Sequence, residues 1–398
     1  MKRLRKLQLG LAYFAPYGVG LGHASRLVMV ANELRKAGAE AKFSSFGEAA
    51  GYVSMHGYQC STVPPVEFAW SMEGGLSVKD SLANVPLWFA NFSRQINQET
   101  RNMMTCRPDI VVSDSRLSPI IAARLLGIPS IVILNQVRLL LSPRLRELAA
   151  SRLFEKLVGE FLGSMWALAD RLLVPDLPPP YTISAHNVWD IGSASRKLEY
   201  IGFTSSRNRP TEESMNEVAK KLAIDRSQPL VFVHVSGPLR TRLTLIDLAM
   251  ESLKLFDSKI QFVVSEGRAD GDPSPKRIGR SGWYYEWCPV RDEIFAMSSL
   301  LVVRGGHVAL SQALQYGKPV VSVPIENHGE QLGNSAKVAQ LGMGIMLHPT
   351  GLTAEQLAKG ISEVLADPGY RKKATELQVL SERADGLDNV VQIVSSYL

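Results

Sequence analysis

Four short stretches place histidine, arginine, glycine and carboxylate or amide side chains where an apolar run gives way to a helical pattern. The first, FAPYGVGLGHASRL (residues 14–27), sets Gly18, Gly20 and Gly22 ahead of His23 and Arg26. An imidazole titrates near neutral pH, so His23 at such a junction suits general-base work. The simpler role is a capping residue of the first helix. Asp114 closes the apolar run PDIVVSD. From the carboxyl end of a neighbouring strand, its carboxylate is placed to fix the His23 tautomer and hold the imidazolium.

The other three stretches fall in the second half of the chain. In VSGPLRTR, residues Ser236, Gly237, Arg240 and Arg242 surround a strand-to-helix turn. Free backbone N–H groups, a close-approach glycine and guanidinium groups make a cradle for a diphosphate. In RGGHVALSQAL, Gly305 and Gly306 let a ligand come near the backbone, and the helix opening at His307 aims its positive end the same way. In PIENHGEQLGNSAKV, Glu330 and Gln331 offer acceptors and donors suited to sugar hydroxyls. Each turn alone is equally a structural one. Three of them at intervals in one alternating pattern point to a single anionic, hydroxyl-rich ligand.

The elements that must carry these residues follow from the apolar pattern. Short, nearly continuous apolar runs (KLQLGLAYF, AKFSSFG, PDIVVSD, PSIVILN) alternate with amphipathic segments such as HASRLVMVANELRKAG and PIIAARLLG. That is the pattern of parallel strands covered on both faces by helices. A polar stretch near 198–229 interrupts it, and it resumes at PLVFVHVSG, IQFVVSE, GWYYEW, LLVVRGG and PVVSVPI. The expectation is two doubly wound α/β domains facing across a cleft: residues 1–200, a linker over 201–225, residues 226–370, and a helical segment 371–398 packing back toward the first domain. Ligands of such sheets sit beyond the carboxyl ends of the strands. Residues 139–173 fit less well. Leu, Phe, Met and Trp interleaved with Arg and Lys predict one long amphipathic helix, packed on the first sheet or lying against a membrane or lipid acceptor.

Composition narrows the classes. The 398 residues are 45% hydrophobic and 21% charged, ordinary for a folded protein of two domains. Three cysteines without metal-ligand spacing argue for a reducing, cytoplasmic compartment. The seven histidines form no paired-ligand motif, and Asp270-Gly271-Asp272 reads as a turn, so no metal or cofactor is expected. A net charge of +6 without a basic arm points away from nucleic acid, and toward an anionic small molecule or membrane surface. The GVGLGH stretch lacks the acidic residue of a dinucleotide fingerprint, and no GxxxxGK[ST] occurs. The basic start and LQLGLAYFA read as a buried first strand and not as a signal peptide. No apolar run reaches the ~18 residues needed to span a bilayer.

The segment LLVVRGGHVALSQALQYGKPVVSVPIENHGEQLGNSAKVAQLGMG resembles the nucleotide-sugar signature of the GT-B glycosyltransferases. It is most similar to the branch of the bacterial peptidoglycan N-acetylglucosaminyl transferase and the galactolipid synthases. GLGHASR resembles the glycine-rich first loop of that superfamily, and PDIVVSDSRLSPIIAARLLGIPSIVILNQ and YIGF resemble its acceptor-domain and linker patterns. The resemblance implies a two-domain GT-B fold and an inverting, metal-independent transfer from a UDP-sugar to an acceptor hydroxyl, with the nucleotide sugar as substrate and not cofactor. It implies an acceptor that can be lipid-borne and a place on the inner face of the membrane. It puts the diphosphate at Ser236, Gly237, Arg240, Arg242, Gly305 and Gly306, and aligns Gly20 and Gly22 with the first loop. It puts the base near Trp287 and Cys288, and the sugar near Glu330 and Gln331. Where the family has a glutamate gripping the ribose, this chain has Gln312. A 2-epimerase of UDP-N-acetylglucosamine and a non-catalytic nucleotide-sugar binder share the scaffold. The first calls for more cleft carboxylates than the sequence offers. Intact His23, Asp114 and Arg240 count against the second.

Overall fold

The computed structural model describes residues 10–66, 85–137, 146–188, 191–204, 209–235, 239–256, 259–268 and 270–398. Two seven-stranded sheets organise them. In the first, β1 (Leu11–Pro16), β2 (Glu40–Ser45), β3 (Cys60–Thr62), β4 (Ile110–Asp114), β5 (Ser130–Ile133), β6 (Arg171–Val174) and β7 (Leu198–Tyr200) lie in the order 3-2-1-4-5-6-7. All pairs are parallel. In the second, β8 (Leu230–His234), β9 (Gln261–Ser265), β10 (Lys276–Ile278), β11 (Gly282–Tyr285), β12 (Leu300–Val303), β13 (Val320–Ser322) and β14 (Gly344–Met346) lie in the order 10-11-9-8-12-13-14. Only the edge strand β10 is antiparallel. Central strands such as β4 and β8 are buried along their whole length because helices cover both faces.

The helices between them are α1 (Leu21–Lys36), α2 (Gly47–Met55), α3 (Val85–Cys106), α4 (Ser118–Leu126), α5 (Ala149–Trp166), α6 (Ala185–Val188) and α7 (Gly192–Ser195) in the first half. The second half adds α8 (Glu212–Lys221), α9 (Leu239–Leu253), α10 (Arg291–Met297), α11 (His307–Gln315), α12 (Gly329–Gln340), α13 (Ala354–Ala366), α14 (Pro368–Ser381) and α15 (Gly386–Ser395). The chain ends by crossing back. Helix α14 gives Ala374 and Leu377 to the second core, whereas α15 gives Leu387, Val390, Val391 and Val394 to the first, beside α1.

Register sets the site. Pro16 of β1 pairs with Asp114 of β4, so those strands end level and α1 starts beside Asp114. In the second sheet Val303 is level with His234 and with Ser322, and His234 with Ser265. Both rows of strand ends open on the space between the domains.

Two expectations are corrected. Residues 139–173 are not one helix: 138–145 lie outside the described residues, α5 ends at Trp166, and Arg171–Val174 is strand β6. A short apolar run after a helix carries no period of its own, and pairing with β5 decides it. The polar stretch 198–229 also holds β7 and α8, and α8 packs Val218 into the second core.

Candidate active site

His23 sits in the first turn of α1. Its Nδ1 lies 2.7 Å from Asp114 Oδ1, and the ring borders the cleft. The other carboxylate oxygen accepts from Arg26 Nη1 at 2.9 Å, and Ser115 Oγ donates to Oδ1 at 3.1 Å. Burial pushes the Asp114 carboxyl up, but Arg26 and His23 outweigh it, and the group is held below the usual carboxylate range. An ionised carboxylate only accepts, so Nδ1 carries the proton and Nε2 offers its lone pair. Tyr17 packs edge-on against the imidazole at 5.8 Å. Such a ring, held by a carboxylate that a guanidinium holds in turn, has the geometry that a general base would need.

On the facing side, α11 opens at Gly306 and His307. Gly305 has φ +81°, and a Cβ there would lie 2.2 Å from Ser335 Oγ, so this glycine is required by the fold itself. Gly306 has open space where a side chain would be. His307 Nε2 lies 3.1 Å from Asp176 Oδ2. Arg242, in the first turn of α9, is 3% exposed and donates through Nη2 to Glu48 Oε1 of α2 at 3.1 Å. A carboxylate from the first domain thus rests on a buried guanidinium of the second. Residues Ser236 and Gly237 lie outside the described residues, as does the side chain of Arg240.

At the third junction, α12 begins with Glu330 and Gln331. Asn135 Nδ2, two residues beyond β5, donates to Glu330 Oε1 at 2.7 Å. Gln331 Oε1 accepts from the Ile325 backbone N–H at 2.9 Å, which leaves its amide N–H groups for a ligand. Asn187 Nδ2 donates to Asn334 Oδ1 at 2.9 Å and fastens α6 to α12. Trp287 and Cys288 follow β11, and burial pushes the Cys288 thiol up to about 12, so it is no nucleophile. His234, at the end of β8, is packed between Phe232 and Phe295, and burial together with the nearby Arg291 lowers it to about 3.

These groups converge on one cleft of about 1140 Å³ between the domains. Gly20, Gly22, His23, Arg242, Trp287, Cys288, Gly306, His307, Gln312, Glu330 and Gln331 border it, whereas Asp114 and Gly305 stand behind its wall. Sequence reasoning missed Arg26 as the second partner of Asp114, along with Glu48, Asn135 and Asp176. Arg26 had a signal, since it lies three residues after His23 on the same helical face. Asn135 and Asp176 come just after strand ends, where Asp114 is itself the last strand residue. Glu48 had none.

Residues 240–390 match the glycosyltransferase family 28 C-terminal domain. An uncharacterized glycosyltransferase of Methanosarcina mazei is 27% identical over 373 residues, covering 93% of each chain. The crystal structure of the glycotransferase of kitacinnamycin superposes with a TM-score of 0.69 at 18% identity, over 98% of this chain and 100% of that one. The Streptomyces sp. SF2575 glycosyltransferase SsfS6, complexed with thymidine diphosphate, does so with a TM-score of 0.64 at 18% identity, over 97% and 99%. The two-domain layout is that of the GT-B glycosyltransferases.

Proposed function

We propose that this glycosyltransferase moves a sugar from a UDP-sugar to an acceptor hydroxyl, with inversion and without a metal ion. That the chain is a glycosyltransferase rests on its family 28 C-terminal domain and on relatives that match along nearly their whole length. The observation that carries the reading is the His23–Asp114 pair, at 2.7 Å, set at the cleft opposite the N-terminus of α11.

The acceptor hydroxyl gives its proton to His23 Nε2 as its oxygen bonds to the anomeric carbon. The bond from that carbon to the diphosphate breaks, and the electron pair leaves with the nucleotide. Asp114 holds the imidazolium. Arg242 and the helix N-termini meet the growing charge on the diphosphate. A nucleotide donor is in keeping with SsfS6, which binds thymidine diphosphate. Glu330 and Gln331 take sugar hydroxyls, and Gln312 takes one ribose hydroxyl with a neutral amide.

A lipid-borne acceptor and contact with the inner face of the membrane fit the outer surface of the same domain. Leu153, Leu157 and Phe161 recur at helical spacing on α5 and are 58%, 62% and 63% exposed, with Phe154 beside them. Leu162 and Trp166 of that helix border the cleft, as does Phe92, one turn from the exposed Phe89 on α3. Two helices thus lead from an exposed apolar face to the cleft. No helix among the described residues is long and apolar enough to cross a membrane, so such contact lies at the interface.

A panel of nucleotide sugars, screened by thermal stabilisation and followed by product analysis, tests the reading. A glycoside formed from a UDP-sugar in the presence of chelator is the expected product. An epimerised nucleotide, or binding without turnover, overturns it.

A further inference from the structure

A second imidazole–carboxylate pair joins the two domains, and the transfer described above makes no use of its carboxylate. Asp176 follows β6 and is fully buried. Its Oδ1 accepts from the backbone N–H of Leu177 at 2.8 Å and of Ile183 at 3.1 Å. Its Oδ2 accepts from Ser184 N–H and Ser184 Oγ, both at 2.8 Å. Backbone donors reach both oxygens, so this carboxyl acts here as an acceptor. The remaining contact is His307 Nε2 at 3.1 Å. Since a carboxylate cannot donate, Nε2 carries a proton. The other ring nitrogen, Nδ1, is buried and has no partner among the described residues, on a residue that borders the cleft and opens α11.

We propose that Asp176 is a positioning residue for His307, and that a nucleoside diphosphate seated at the N-terminus of α11 is met by a proton taken up at His307 Nδ1. The inference rests on the donor reading given above. A phosphoryl oxygen has only lone pairs to offer. It can satisfy Nδ1 only if that nitrogen also bears hydrogen, which makes the ring an imidazolium. The proton comes from solvent, and no covalent bond changes. Asp176 stabilises the cation from behind while the phosphate does so in front. Without the anion, the positive end of α11 opposes that charge.

The surrounding charges fit this balance. Arg304, at the end of β12, gives its guanidinium to Thr241 O. Arg26, across the cleft, gives its own to Asp114. Glu330 and the His328 ring face the cleft from α12, and His23 faces it from α1. Helix α14, packed on α11, turns Ala374 and Leu377 inward and leaves Arg371, Lys372 and Glu376 exposed. Phe203 covers the other side of the His307 ring at 6.1 Å. Among the described residues, Asp176 is therefore the carboxylate that touches this ring.

Calorimetric titration of the full chain with UDP at pH 8, in buffers of different ionisation heat, measures the protons taken up. Wild type is expected to take up more than His307→Gln, the difference approaching one proton per UDP, and the variant to bind UDP roughly tenfold more weakly. The ionisation of UDP itself is common to both proteins and cancels. Asp176→Asn should confine tight UDP binding to lower pH, a change that a purely structural role would not cause. Uridine should bind with equal uptake in wild type and His307→Gln. If UDP binds both with equal proton uptake, this inference fails and the donor reading stands. If UDP does not bind wild type at all, both fail.

Discussion

Asn135 Nδ2 donates to Glu330 Oε1 at 2.7 Å, so the end of a first-sheet strand holds the first turn of a second-domain helix. The contact ties the domain of the proposed base, His23, to a group proposed to take the donor sugar. Asn135→Ala should raise KM for the nucleotide sugar about tenfold or more, the usual weight of a hydrogen bond to a charged group. UDP lacks the transferred sugar, so its affinity should stay within twofold or so. Steady-state kinetics beside UDP titration decides the point, and equal losses for both ligands would mean that Asn135 acts on the nucleotide.

His23→Ala should lose turnover by about 10²–10⁴-fold, the usual contribution of a placed general base. UDP affinity should hardly change, because the nucleotide is assigned to the other domain. Asp114→Asn should lose less, since it orients the ring and does not itself move the proton. Turnover at wild-type level in His23→Ala would place the base elsewhere. A loss of UDP affinity instead would make His23 a donor ligand.

Gly22, next to the proposed base His23, lies against the second domain. A Cβ there would lie 2.8 Å from Val308 Cγ2 on α11. Gly22→Ala should hold the domains apart and lower turnover roughly ten- to a hundredfold, as small misplacements of reacting groups do. Adding Val308→Ala should restore most of it. Failure of the second substitution to rescue the first would show that the glycine serves the start of its own helix and not domain closure.

The apolar face of α5 should bind vesicles containing anionic lipid in a sedimentation assay. Replacing Leu153, Leu157 and Phe161 together by Ser should abolish binding while turnover on a water-soluble acceptor persists. The arginines nearby are weaker probes. Arg146 pairs with the buried Glu155 at 3.0 Å, and Arg152 donates to the Arg146 and Glu147 carbonyls, so charge reversal there disturbs the helix start as well. Equal sedimentation of wild type and the triple variant would remove the membrane assignment.

His234 makes stability depend on pH. Burial, and secondarily Arg291, lowers it to about 3. A histidine in the unfolded chain titrates near ~6.5. Between those values the unfolded state binds the extra proton, so this contribution is complete above about 6.5 and shrinks as pH falls toward 3. Urea melts of wild type and His234→Phe from pH 7 to pH 4 should show a smaller loss in the variant. Parallel curves would mean that the ring is protonated in the native protein.

The sequence by itself determined the alternation that builds two parallel sheets, since buried strands and amphipathic helices are written in local apolar patterns. It also determined that His23, Asp114, His307 and Glu330 stand at strand ends or helix starts, because the residues on either side fix those boundaries. The tertiary structure decided what these groups touch. The register of β1 against β4 brings His23 to Asp114. Strand β6 exists because β5 and β7 flank it; four residues hold no period that could distinguish strand from helix. The Arg242–Glu48, Asn135–Glu330 and His307–Asp176 contacts are separated by 194, 195 and 131 residues and arise only when one domain docks on the other. Local periodicity says which side of an element is apolar. It holds no information about which polar end meets which across a cleft, because that depends on the packing of every element between them.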